Sequence, residues 1–468
     1  MPSAGSARTF PHPADARRPF LLRWPAVALL LAAGAALTAC ERPFVAPTPP
    51  EIELLAPDPQ QVFTDSITVI KARATSFRTV TKLMVDGRDM VFDPIDDTWV
   101  DTVSLDAGLN EFQVSALDDA GVEGARDVTL LRLKYTFSEG PSMPAPFRIG
   151  EQTATLLSDG RLLLLGGVQG LVEPALSAAF VLDPGATSFR LLQSRMIHGR
   201  TGHTAGTLPD GRILILGGAT RGAANQLFQL IPDVEIFNPA TNRFTPVPFV
   251  GEPIGRVYHV MFITTDTRGV VIDIQGGIGK NNTDRSSELE PLRTFRTFRL
   301  ARDTLFSVGS GGISVDGIGQ IYSHTVAPLT AIGSDGVGEY LVGGSYFTET
   351  TERRVNFTID FASAPLRILE TGPYDTGRYR HATAALQPGI VFSFGGRAFL
   401  NGPVLQSSEV YVSAFDTYFQ FANPPTSQRR HGHTATKMPG GRILLVGGFI
   451  GNGDALTTSE YFDPGFGF

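Results

Sequence analysis

Arg200-Thr201-Gly202-His203-Thr204-Ala205, followed by Asp210-Gly211-Arg212-Ile213-Leu214-Ile215-Leu216-Gly217-Gly218, is the stretch on which the architecture turns. It holds a polar slot, a tight-turn dipeptide, four consecutive apolar residues and a diglycine. Asp-Gly is a hairpin signal, and a short apolar run closed by glycine reads as a buried strand. The same order recurs beyond residue 136. Diglycines stand at Gly166-Gly167, Gly217-Gly218, Gly276-Gly277, Gly343-Gly344, Gly395-Gly396 and Gly447-Gly448. Apolar runs precede them at Leu162–Leu165, Ile213–Leu216, Val270–Ile274, Tyr340–Val342, Ile390–Phe394 and Ile443–Val446. Gln152, His203, His381 and His433 each lie 14 residues ahead of the first glycine; His259 and His324 lie 17 and 19 ahead. Five of the eight histidines thus share one repeat position.

Repeats of about this length, each too thin to bury both faces, stack into propellers. Asp159-Gly160, Asp210-Gly211 and Gly440-Gly441 mark a turn between the first two strands of a unit. Leu182-Asp183-Pro184, Phe237-Asn238-Pro239 and Phe462-Asp463-Pro464 close a third strand. The pattern resembles the kelch repeat, in the version found in the propeller of galactose oxidase-like proteins. The resemblance implies an all-β, six-bladed propeller over residues 135–468. The family's usual fourth-strand Trp is missing, and Phe189, Phe244 and Tyr418 are the expected substitutes. Residues 135–148 read as a fourth strand, expected to close the ring against Tyr461–Asp463.

Residues 51–134 alternate apolar and polar in short runs: Ile52–Leu55, Ile67–Ala72, Val80–Val85, Trp99–Leu105, Glu111–Leu117 and Val128–Leu133. This pattern suits an immunoglobulin-like β-sandwich. The stretch from Leu105 to Gly121 resembles the last hairpin of bacterial Ig-like domains. Asp118, Asp119 and Glu123 read as a solvated turn rather than a calcium site.

Residues 1–39 read as an export leader, with Arg17, Arg18 and Arg23 ahead of an apolar stretch from Trp24 to Leu37. Arg17-Arg18-Pro19-Phe20-Leu21 resembles a twin-arginine core; an ordinary secretory signal is the expectation. Leu37-Thr38-Ala39-Cys40 resembles the lipobox of bacterial lipoproteins, which implies lipidation of Cys40 and a bilayer as partner. Glu41 leans the expected address towards the outer membrane. Residues 40–50 carry Pro43, Pro47, Pro49 and Pro50, an extended spacer.

The whole chain has 468 residues, 42% hydrophobic and 18% charged, with 51 Gly, 33 Pro and one Cys. That composition favours turn-rich β structure and excludes a disulfide framework or a Cys-rich zinc module. A net charge of −7 argues against a nucleic-acid partner. The propeller is expected to be monomeric.

Arg200, Arg256, Arg378 and Arg430 each lie three residues before the repeat His. As a ring of guanidiniums they are candidates for binding carboxylates or acidic sugars. The alternative is that each Arg and His bonds backbone carbonyls where units meet. Tyr346 and Arg353, after the fourth diglycine, are the other candidate contacts. Tyr258-His259 resembles the copper-ligating Tyr-His of galactose oxidase-like radical enzymes. Those also need a cysteine cross-linked to tyrosine and a further His from a later domain. The single Cys belongs to the lipobox, so no copper, other metal or cofactor is expected. Two functions follow: a non-enzymatic protein- or glycan-binding module, or a sugar-modifying isomerase or hydrolase working in the propeller funnel. An acid converging with a Tyr-His or Arg pair favours the enzyme. A shallow face with dispersed aromatics and Arg favours binding.

Overall fold

A computed structural model describes residues 48–465 except 59–60, 171–172, 221–228, 253, 280–289, 293, 313–324, 333–334, 348–351, 363–366, 373, 375, 400–401, 422–426 and 452. Cys40, the leader and most of the spacer lie outside the described residues. Among the described residues the chain is all-β, with no helix. It forms two parts, an N-terminal pair of sheets and a β-propeller.

The N-terminal sheets have strand orders Glu51–Ala56, Ile67–Thr75, Thr98–Ser104, Val91–Asp93 and Val62–Phe63, Glu123–Arg132, Gly108–Asp118, Val80–Val85, Arg88–Asp89. Ile70 and Ala72 of one sheet and Leu83, Val114, Ala116 and Leu130 of the other share one buried core. Period-two alternation places these residues on the inner faces. Asp118 sits in a tight turn, its Oδ1 accepting from the backbone N–H of Ala120 and Val122, both at 2.9 Å.

Leu131 and Leu133 leave this core and pack with Phe392, Phe421 and Phe462 of the propeller. Thr136–Glu139 then runs antiparallel to Ser459–Asp463, pairing Phe137 with Phe462. The first strand after the N-terminal part is therefore hydrogen-bonded to the last strand among the described residues.

The propeller sheets follow in order. The first is Thr153–Leu156, Leu162–Leu165, Ala179–Leu182 and Arg190–Leu191. The second is Thr204–Thr207, Ile213–Leu216, Val234–Asn238 and Arg243–Val247. The third is Val260–Asp266, Gly269–Gln275, Thr294–Ala301 and Thr304–Gly312, with Phe249–Val250 added parallel to the last. The fourth is Thr325–Pro328, Glu339–Phe347, Glu352–Asp360 and Arg367–Glu370. The fifth is Ala382–Gln387, Ile390–Phe394, Ser408–Val412 and Thr417–Phe421. The sixth is Thr434–Lys437, Ile443–Val446 and Ser459–Asp463, completed by Thr136–Glu139. Thr153–Leu156 neighbours both Thr204–Thr207 and Thr434–Lys437, which brings the first innermost strand back to the last.

The apolar runs become second strands, buried on both faces between neighbouring sheets: Leu162 to Leu165 and Ile213 to Leu216 are fully buried. The diglycines end these strands in the left-handed region, with φ of +66° at Gly217 and +87° at Gly218. A Cβ on Gly217 would lie 2.4 Å from His259 Cε1 of the next sheet. Both conformation and contact therefore demand glycine. Gly343-Gly344 departs from the pattern. It lies inside Glu339–Phe347, paired with Asn356 and Val355.

Candidate functional site

Arg200, Arg378 and Arg430 are fully buried, and Arg256 is 4% exposed. The structure thus brings the arginines into the sheets rather than onto a ligand-facing surface. Each Nη1 donates to the carbonyl of the first glycine of its own diglycine: Arg200 to Gly217 at 2.9 Å, Arg256 to Gly276 at 2.9 Å, Arg378 to Gly395 at 2.9 Å and Arg430 to Gly447 at 2.8 Å. Three also hold a carboxylate on the third strand. Arg200 Nη2 meets Glu235 Oε1 at 2.7 Å, Arg378 Nη2 meets Glu409 Oε1 at 2.8 Å and Arg430 Nη2 meets Glu460 Oε2 at 2.6 Å. A guanidinium satisfied in this way clasps a sheet, because its donors are already occupied. The glutamates escaped the sequence reading. Their signal was a Glu two places before the aromatic of the third strand, as in Glu235-Ile236-Phe237 and Glu460-Tyr461-Phe462.

The histidines form a belt between sheets. Thr153 Oγ1 lies 3.1 Å from His203 Nε2, Thr204 Oγ1 2.9 Å from His259 Nε2, and Thr325 Oγ1 3.0 Å from His381 Nε2. Gln152, in the same repeat position, donates to Val446 O at 2.8 Å and to Thr434 Oγ1 at 3.4 Å. Each threonine contact bridges neighbouring innermost strands, and Gln152 also reaches the second strand Ile443–Val446. Burial, with the nearby arginines, pulls His203 and His259 down to about 3, so both rings are neutral. Among the described residues no cluster of three metal-ligating side chains exists. His324 lies outside them. Along the axis runs a channel of about 740 Å³, lined by the belt histidines, by Thr and Ala of the innermost strands and by Met261, Phe262 and Tyr340. It reaches the tight-turn end of the ring at Pro209 and Gly336.

The opposite end of the axis carries a polar cluster missed by sequence reasoning. Glu151, Gly202, Tyr258, Arg380 and Gly432 immediately precede the repeat His or Gln. All five adopt positive φ, between +54° and +64°. Backbone bonds link them around the axis: Tyr258 N–H donates to Gly202 O at 2.7 Å, Gly432 to Arg380 O at 2.8 Å, and Glu151 to Gly432 O at 2.7 Å. The three non-glycine side chains converge. Glu151 Oε2 accepts from Tyr258 OH and from Thr201 Oγ1, both at 2.7 Å. Arg380 ion-pairs with Glu151 Oε1, donates to Tyr258 OH at 2.7 Å and lies over the Tyr258 ring, 4.8 Å from its centroid. Burial pushes the Tyr258 phenol well above its usual range, so it stays protonated. Non-glycine residues in left-handed conformation outside turns are costly and cluster at functional sites. The signal in sequence was a side chain where the repeat elsewhere has glycine. His431 lies beside this end, stacked on Phe449 with centroids 5.4 Å apart. Burial lowers it to about 4.

The surrounding loops supply apolar surface. Phe399 and Ile450 are 49% and 51% exposed. Arg397 ties their loops together, donating to Gly402 O and Gly451 O, each at 3.1 Å. Tyr346 and Arg353 are not loop residues. They face each other as cross-strand partners in an extended hairpin, and their side chains lie outside the described structure. The hairpin forms because the strand continues through Gly343-Gly344 instead of turning there. Tyr258-His259 is divided between two structures: the Tyr belongs to the axial cluster and the His to the belt.

The class that this fold and repeat define is a kelch-type β-propeller. No family profile matches the sequence. The chain is 36% identical over 136 residues to tRNA wybutosine-synthesizing protein 4 of Saccharomyces cerevisiae, covering 29% of this chain and 18% of that protein. It is 30% identical over 131 residues to the F-box/kelch-repeat protein At2g29600 of Arabidopsis thaliana, covering 28% of each. The chain thus spans under a third of either curated relative. The solved structure of YjhT superposes with a TM-score of 0.53 at 15% identity, covering 69% of this chain and 96% of that one. That likeness shows the fold alone.

Proposed function

We propose that this is a lipid-anchored protein of the bacterial cell envelope, exported by the leader, acylated at Cys40 and facing its ligand with a six-bladed kelch propeller. An Ig-like β-sandwich separates propeller from anchor. The function is non-enzymatic recognition of a protein or glycan. The observation that carries it is the propeller itself: rigid sheets whose connecting loops differ from one repeat to the next. Such loops on a rigid scaffold are where binding surfaces are built. The favoured face is the end bearing Glu151, Tyr258 and Arg380, where Phe399 and Ile450 add exposed apolar contacts.

The convergence of an acid, a phenol and a guanidinium favours a second reading, a sugar-modifying enzyme. Against it, the donors and acceptors of that cluster are largely spent on one another. One experiment separates the two. The purified mature chain is applied to a neutral and carboxylated glycan array, and each bound glycan is then followed by NMR. Retention without change supports recognition; isomerisation or cleavage supports the enzyme. Phe399→Ala should weaken retention about tenfold, as for a rim aromatic contributing over 1 kcal/mol. The anchor is tested separately: Cys40→Ser should leave unprocessed precursor and release the chain from membranes.

A further inference from the structure

The N-terminal sandwich has two ends with different chemistry. Glu123–Arg132 runs the length of the domain and passes at its far end into Leu133 and the propeller. Its near end holds the place where the chain enters: a Cβ on Gly124 would fall 2.0 Å from Pro50 O, and Glu51 pairs with Thr75. The loops after Thr75 and before Thr98 lie at this same end. Arg73, on the strand that leads into the first loop, holds the second, donating to Asp96 O at 3.2 Å and Asp97 O at 3.3 Å. Each loop carries one large apolar residue. Phe77 is 97% exposed and Ile95 91% exposed. Among the described residues no other large hydrophobic exceeds 73%. Phe92 and Trp99, on the paired strands that flank the second loop, meet at a tilt with centroids 4.9 Å apart.

We propose that this end is a membrane-contact tip and that Phe77 and Ile95 insert into the interfacial layer of the bilayer holding the Cys40 lipid. The proposal rests on the lipid-anchored reading above. Ten residues separate Cys40 from Pro50, so the tip is tethered within about 35 Å of the surface. At that distance the bilayer is at high effective concentration, and two apolar side chains suffice to hold a contact that they could not form from solution. Charge does not drive the contact. Lys71 is paired with Asp96 at 2.6 Å, and Arg78 lies 3.6 Å from Asp119. The basic residues are thus matched by acids, unlike the polybasic patches that bind anionic lipid. With the tip seated, the ten-residue strand Glu123–Arg132 sets the stand-off of the propeller, about 33 Å at 3.3 Å per residue.

The full lipidated chain carrying Phe77→Trp with Trp99→Phe is reconstituted in phosphatidylethanolamine–phosphatidylglycerol vesicles, with and without brominated acyl chains. Processing removes Trp24, so the introduced indole is the sole reporter. Ile95→Trp in the same background is the second reporter. Expected are flotation with the vesicles, a blue-shifted emission and at least about twofold quenching by bromine, as for an interfacial aromatic. A chain that floats but emits as if in water, or is shielded without bromine quenching, overturns the tip and leaves the anchor standing. A chain that does not float overturns the anchor and the tethered tip together.

Discussion

The second and third propeller sheets meet the same demand with different chemistry. In the second, Arg200 lies between the Gly217 carbonyl and Glu235, which pairs across from Ile215. In the third, Arg256 keeps its carbonyl bond to Gly276, but the position across from Ile274 is Arg296. Arg256 turns instead to Thr294, donating to its carbonyl at 2.8 Å and its hydroxyl at 2.7 Å. Burial and the neighbouring Arg296 lower Arg256 to about 10. Arg296 itself is buried, donating to Glu252 O at 2.7 Å and lying over Phe298. The carbonyl of the diglycine is therefore the constant partner of the repeat arginine. The carboxylate is an addition that one sheet can lack, provided hydroxyl and carbonyl groups complete the guanidinium.

The sharpest way to break this comparison is to remove the carboxylate where it exists. Glu409→Ala strands Arg378 as an uncompensated buried charge and should cost about 3–5 kcal/mol in denaturant unfolding. Arg296→Ala removes a charge that repels Arg256 together with one hydrogen bond, to Glu252 O, and should cost about 1–2 kcal/mol. A Glu409→Ala loss no larger than that of Arg296→Ala would show that the carbonyl bond, not the ion pair, carries the clasp.

Next in size is the diglycine. Gly217→Ala meets both a left-handed φ and His259 Cε1 at 2.4 Å, whereas Gly185→Ala meets a φ of +77° with nothing within 4 Å. The first should cost about 2–4 kcal/mol and the second about 1, since only strain applies there. A Gly185→Ala loss as large as that of Gly217→Ala would remove the close approach between sheets from the explanation.

The third effect is a slope with pH. His203 and His259 titrate near 3 in the fold and near 6.5 when unfolded. Between those values the unfolded chain binds protons that the native state refuses, so stability falls as pH is lowered from 6.5 towards 3. Each histidine contributes a slope of about 1.4 kcal/mol per pH unit across that window. His203→Gln copies the residue already present at Gln152 and should flatten the slope by one histidine's share, measured as melting temperature at pH 6.5 and 4.5. An unchanged slope would mean that the ring accepts a proton without breaking its bond to Thr153.

Much of the fold was legible because its determinants are local. Leu162–Leu165, Ile213–Leu216, Ile390–Phe394 and Ile443–Val446 are strands with the bounds read from the apolar runs. Asp159-Gly160 and Asp210-Gly211 are turns of positive φ at their glycines. Gly343-Gly344 was misread because two glycines in a row specify a turn only when the chain leaves the sheet there, and here the hairpin continues. The site was hardly legible. The arginines chosen for a ligand are interior clasps, since their partners, Glu235, Glu409 and Glu460, lie 30–35 residues away on the third strand.

The sequence by itself determined the repeat, the alternation of strands and turns, and the positions where only glycine or a strained residue fits. Turn chemistry and hydrophobic periodicity act over a few residues and need no knowledge of the whole. The meeting of Glu151, Tyr258 and Arg380 was decided by tertiary structure alone. Tyr258 is 107 residues from Glu151 and 122 from Arg380. Nothing local couples them. They meet because a propeller arranges equivalent positions of successive repeats around one axis, where side chains far apart in the chain share a single buried space.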